Sequence, residues 1–186
     1  MKKILCIVLC LFVWTYHFAQ EKLDINRSKS EIKWSGEYSF YFGGHYGTIN
    51  FKEGYFTKNN DVITGGTFII DMNSIICLDI KDEEANIGLV DHLKNQDFFN
   101  TSDYPTSILT ILKVKYHDNH NIQIFADLTI KGITLPINFQ AKVNYEKQQL
   151  TARFKIDRQR WGIDYNSTLR DGAIADGIGF EVSLCL

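Results

Sequence analysis

Cysteine is scarce in this chain, and its scarcity excludes one whole class of fold. Two of the four, Cys6 and Cys10, fall in the first twenty residues, which leaves Cys77 and Cys185 and at most one bridge. A disulfide scaffold is therefore ruled out, and a packed core has to hold the fold together. Excess basic charge is missing too. Without Lys2 and Lys3, the 20 basic residues fall to 18 against 22 acidic, a net charge of −4. No basic stripe offsets this, which argues against nucleic acid and against an electrostatic hold on anionic lipid. Catalytic signatures are absent as well: no Gly-x-Ser-x-Gly, Cys-x-x-Cys or phosphate loop occurs. Among His45, His92, His117 and His120 the one ligand-like spacing, His117-x-x-His120, lies in a turn beside Asp118 and Asn119, where a solvated turn is the better reading. Asp91-His92 resembles a catalytic pair, but neighbours on a helix point about 100° apart and do not meet. No catalytic residue, metal or cofactor is expected.

What the chain does have begins with a leader. Lys2-Lys3, the apolar run Ile4 to Trp14 and Ala19 read as a secretory signal peptide over residues 1–19, too short to span a bilayer. Cys10 lacks the small residues before it and the polar linker after it that a lipid anchor needs. Residues 20–186 then form one domain, long enough to bury a core, in a periplasmic or secreted protein.

Alternation of apolar and polar residues dominates that domain. Ile32 and Trp34 open it; Ile49 and Phe51 follow, with a bulge expected at Gly54 and a hairpin turn at Lys58-Asn59-Asn60-Asp61. Phe68, Ile70 and Met72 share a face, and continuing their parity places Cys77 outward, as Cys185 is by its own strand, so both thiols are expected to be free. Ile108, Thr110, Leu112, Val114 and Tyr116 share the next inward face. Ile122 to Ile130, Leu135 to Tyr145, Leu150 to Ile156 and Ile178 to Leu184 repeat the pattern, and residues 157–173 form a long connection. About eight antiparallel strands result. Their raw edges ask for closure, and periodicity alone leaves a barrel and a two-sheet sandwich open.

One stretch breaks the alternation. Leu89, Leu93 and Gln96 fall on one helical face with Val90 beside them, and Phe98, Phe99, Asn100 and Pro105 end the helix. His92 reads as an anchor between helix and sheet. The segment 83–99 should pack beside any pocket, with Phe98 or Phe99 in its wall or lid.

His92-Leu93, Asp97-Phe98-Phe99 and Tyr104-Pro105 together resemble the hallmark run of the YceI-like family. Further blocks recur in order: Trp34, Gly43 to Ile49, Gly65 to Phe68, Ile70 to Ile75, Leu128 to Gly132 and Phe154 to Ile163. The chain departs from the family pattern at Cys77 and at Gln159-Arg160-Trp161, the second of which bears on the pocket mouth. The resemblance implies an all-β, antiparallel, eight-stranded lipocalin-like barrel with one short helix, and a polyisoprenoid or similar long-chain lipid as partner. Inward parity nominates Phe68, Ile70, Leu112, Leu128, Ile137, Phe139, Phe154, Phe180 and Val182, together with Phe98 and Phe99, as ligand-binding residues. A barrel of this size is either filled by its own side chains or holds one slender ligand. The alternatives are thus a filled-core interaction module and, less favoured, a barrel-cup enzyme using His45 and the 157–173 loop. Oligomeric state stays open, a homodimer included.

Overall fold

Successive side chains on a strand point to opposite faces, so the alternation becomes strands with one wet and one dry side. The computed structural model describes residues 21–39, 42–59, 62–165 and 174–186. The signal-peptide segment, the centre of the Lys58 to Asp61 turn and much of the 157–173 connection lie outside them. Among the described residues nine strands form: β1 (Glu21–Asp24), β2 (Glu31–Tyr38), β3 (Gly44–Asn59), β4 (Val62–Cys77), β5 (Thr106–Tyr116), β6 (Asn121–Ile130), β7 (Ile133–Asn144), β8 (Gln149–Asp157) and β9 (Ile174–Cys185). Each strand from β2 onward pairs antiparallel with the next, and β2 pairs with β9 to close the circle. β1 and β2 share one edge of β3, β1 against Tyr55 to Lys58 and β2 against Gly44 to Ile49. They count as one position, and the architecture is a closed eight-stranded antiparallel barrel with no raw edge left in the ring.

Several register shifts interrupt the strands, and three of them bear on the expected faces. In β5, Ile111 pairs with Ala126 and Lys113 with Phe125, so Leu112 is the extra residue of a bulge. Ser107 and Ile111 are buried on the near side of it and Leu112 is 60 % exposed, which corrects the expected Ile108, Thr110, Leu112 face. In β3 the bulge sits at Lys52, between the Phe51–Ile70 and Glu53–Ile69 pairs, and not at Gly54, which pairs in register with Phe68. Gly54 instead permits close packing, since a Cβ there would lie 2.6 Å from Phe68 Cδ1. In β4 the stretch between Asp71 and Ile76 holds more residues than its partner, and Ser74 Oγ bridges the gap, donating to Asp71 O (2.6 Å) and accepting from Asn50 N (2.8 Å). Parity flips there. Ile75 and Cys77 turn inward, so Cys77 is buried and not on the outward face expected for it.

The helix α1 (Glu83–Lys94) starts earlier than its apolar face suggests, because Asp82 caps it by accepting from Ala85 N at 2.9 Å. Glu83 and Glu84 in the first turn and His92 and Lys94 in the last suit the helix dipole. Gln96 falls beyond the helix and is exposed. A short 3-10 helix (Arg158–Trp161) occupies the start of the long connection. Trp161 is fully buried and donates Nε1–H to Leu128 O at 3.1 Å, while the buried Arg158 guanidinium donates to Ile163 O, Ala175 O and Asp176 Oδ1. Of the Gln159-Arg160-Trp161 departure from the family pattern, Trp161 is thus a buried structural contact that does not line the cavity. Among the described residues no helix is long and apolar enough to cross a membrane.

Candidate ligand cavity

Because every strand turns its apolar face inward, the barrel interior is hydrocarbon almost throughout, and its side chains do not fill it. A cavity of about 170 Å³, measured as space open to the centre of a water molecule, runs among residues of all eight barrel strands and of the helical segment. The structure places Phe68, Ile70, Leu128, Phe139, Phe154, Phe180 and Val182 on its wall. Ile137 is half-buried and packs against the core beside that wall, and Leu112, on its bulge, faces solvent. Ser107, Leu109 and Ile111 line the cavity where Leu112 was expected. No local signal betrays that exchange, since a bulge adds one ordinary residue to an ordinary strand.

Aromatic rings give the wall its shape. Phe139 stacks on Phe154 with centroids 4.4 Å apart, and Phe180 tilts against Phe154 at 5.5 Å, so β7, β8 and β9 present one continuous aromatic strip. Phe68 meets Phe56 at 5.0 Å and Phe51 at 6.2 Å, both edge-on. The helical segment supplies Leu89, Leu93, Phe98 and Phe99, all of which line the cavity; Phe98 is 3 % exposed and packs edge-on to Phe99 at 4.9 Å. His92 does anchor this segment, though by ring contacts: it lies edge-on to Tyr165 at 4.4 Å and to Phe98 at 5.9 Å, and its Nε2 is buried with no hydrogen-bond partner.

Few polar groups reach the cavity. Ser107 Oγ donates to Met72 Sδ at 3.0 Å and so presents little polarity. At the end formed by the close of β2 and the start of β3, Glu37, Tyr38 and His45 line the wall. Glu37 holds Lys155 at 2.8 Å. Tyr38 Oη lies 2.7 Å from His45 Nε2, and His45 Nδ1 lies 2.8 Å from Asp79 Oδ2. Asp79 Oδ1 accepts from Tyr46 N at 2.9 Å and from Cys77 Sγ at 3.2 Å. Burial opposes ionisation of Asp79, but the hydrogen bonds from Tyr46 N–H, His45 and Cys77 outweigh it and hold the carboxyl below its ordinary range. Burial pushes the Cys77 thiol up, and it faces the carboxylate, so it is not an activated nucleophile. Cys77 and Cys185 are both unpaired. This chain of groups escapes a motif search because 45, 77 and 79 meet only through the β3–β4 pairing of Gly47 with Cys77.

Comparison with known proteins follows the same lines. Protein YceI of Escherichia coli O17:K52:H18 is 40 % identical over 52 residues, 28 % of this chain and 27 % of that protein, so the match spans about a quarter of the relative's length. A UPF0312 protein of Vibrio vulnificus (strain YJ016) is 29 % identical over 110 residues, 53 % of this chain and 58 % of the relative. Among solved structures, Burkholderia cenocepacia BcnA superposes with a TM-score of 0.63 at 17 % identity, over 87 % of this chain and 98 % of its own. The Campylobacter jejuni YceI protein superposes at 0.51 and 19 % identity, over 98 % and 97 %. At such identities the structural likeness speaks for the barrel alone. The family model of the YceI-like domain matches residues 23–186, and with that match the chain belongs to the YceI-like family.

Proposed function

We propose that this protein is a non-enzymatic carrier that takes up a polyisoprenoid or similar long-chain apolar lipid in the barrel interior, in the periplasm or outside the cell. The observation that carries this reading is the continuous apolar cavity lined by every barrel strand. A bore about 25 Å tall, as strands of roughly ten residues tilted ~40° give, walled by apolar side chains, suits a linear hydrocarbon chain better than a compact polar metabolite. Each CH₂ leaving water contributes about 0.8 kcal/mol, so five or six isoprene units suffice without a charged contact to a head group. The scarcity of polar lining and the absence of an activated nucleophile among the described residues favour carriage over chemistry. Native mass spectrometry of the protein purified from its own host tests the reading: a co-purifying apolar ligand of one per chain is expected, and a clean apo mass after gentle extraction overturns it.

A further inference from the structure

From the ring of donors at the Tyr38 and His45 end of the barrel, we propose that His45, Cys77 and Asp79 form a site for a borderline-soft divalent ion of the zinc class. This does not rest on the lipid reading. The His45, Cys77 and Asp79 ligand atoms all lie within 4.8 Å of one another, with a thiol, an imidazole and a carboxylate each offering one. That donor set is the one zinc takes, and the thiol disfavours magnesium and calcium, which require oxygen. Tetrahedral coordination at ~2.0–2.1 Å for nitrogen and oxygen and ~2.3 Å for sulfur separates neighbouring ligand atoms by roughly 3.3–3.6 Å. His45 Nδ1 and Asp79 Oδ2 stand at 2.8 Å, Cys77 Sγ and Asp79 Oδ1 at 3.2 Å, and all three ligand atoms lie within 4.8 Å of one another, so an ion gathers them with side-chain movements of up to roughly 1 Å.

The groups outside the three ligands are arranged as a metal site needs. A metal-bound histidine donates its other ring N–H to a fixed partner, and Tyr38 Oη sits 2.7 Å from His45 Nε2. A hydroxyl both donates and accepts, so when Nδ1 turns its lone pair to the ion, the ring proton moves to Nε2 and Tyr38 accepts it. Asp79 is oriented by Tyr46 N–H on Oδ1, which leaves Oδ2 for the ion. Cys77 releases the one proton of the exchange, and water completes the fourth position. Burial also fits: Cys77 is buried, and the side chains of His45 and Asp79 are 30 % and 20 % exposed, reachable by an ion but out of bulk solvent.

The test uses the whole reduced, metal-free protein and cobalt(II) as a zinc surrogate. One equivalent should raise a sulfur-to-cobalt charge-transfer band in the near ultraviolet with tetrahedral visible bands, and zinc should bleach both at one per chain. Cys77→Ser should lose the near-ultraviolet band, His45→Gln should weaken binding at least tenfold, and His120→Gln, at the distant β5–β6 turn, should leave it unchanged. Tyr38→Phe, which keeps all three ligands, should weaken binding about ten- to hundredfold. Absence of any charge-transfer band from the wild-type protein overturns the proposal, as does a band that survives Cys77→Ser. Cys185→Ser, which keeps all three ligands, should retain the band, and loss of the band there overturns the assignment to Cys77.

Discussion

Single residues in this barrel act mainly through the space they leave or fill. Gly54 matters for the side chain it lacks, since an added Cβ would lie 2.6 Å from Phe68 Cδ1 and 3.0 Å from Ile25 Cδ1. Both neighbours are buried, so room for the Cβ comes only by displacing packed side chains. Gly54→Ala should therefore cost about 1–3 kcal/mol in urea unfolding, the range of overpacked cores, with the slope against denaturant unchanged. The opposite effect operates at Asp118, whose carboxylate accepts from His120 N and from Asn121 N and Nδ2 in the β5–β6 turn. The Asn121 side chain, then the two backbone donors, lower its pKa from 3.8 to about 2. A depressed carboxyl stabilises the fold above its ordinary pKa and loses that contribution as pH falls through the depressed value. Asp118→Asn should melt below the wild type at neutral pH, and the two melting curves should converge between pH 3.8 and about 2. An offset that persists at the acid end would place the turn's stability in something other than the charge.

At the scale of elements, alternation made the strands legible, while the places where strands change parity were not. Phe139, Phe154, Phe180 and Val182 lie on the cavity wall because β7, β8 and β9 run without a register shift in that region. Leu112 faces away from the bore because it is itself the extra residue of the β5 bulge, and Cys77 faces opposite to expectation because a register shift separates it from Phe68 and Ile70, from which its parity was counted. The helix was visible from Leu89 and Leu93 but its start was set by Asp82, which sequence spacing alone did not single out. Asp82→Ala should cost about 1 kcal/mol, as loss of an N-cap does, and show as a lower melting temperature. Phe98 and Phe99 allow structure and ligand retention to be separated. Phe98→Ala should cost about 3–5 kcal/mol and Phe99→Ala, half-buried, less. If the helical segment forms part of the lid, lipid retention should also fall in both variants at a temperature where each is fully folded. Unchanged retention per folded molecule in both would leave the segment a purely structural role.

Over the whole molecule, closure fixes what the barrel can hold. Because β2 pairs with β9, the first and last strands of the ring define its girth, and Trp161, bonded to Leu128 O, is not part of the cavity wall. Girth and height are then fixed while ligand length is not, so a series of linear prenols of increasing length probes the bore directly. Each added isoprene unit buries several carbons, at about 0.8 kcal/mol per CH₂ before ordering costs, so affinity should climb steeply while the chain still has bore to enter. Once the chain reaches about five or six units, matching a bore of ~25 Å, further units remain in water and the climb should stop. Thermal shift reads the same series, because a ligand that binds only the folded state raises the melting temperature in proportion to the logarithm of its affinity. A break in slope near that length identifies an interior site of fixed height. Affinity that keeps rising with length would mean the chain lies along the outer surface, and no shift at any length would mean that the barrel does not take up a prenol.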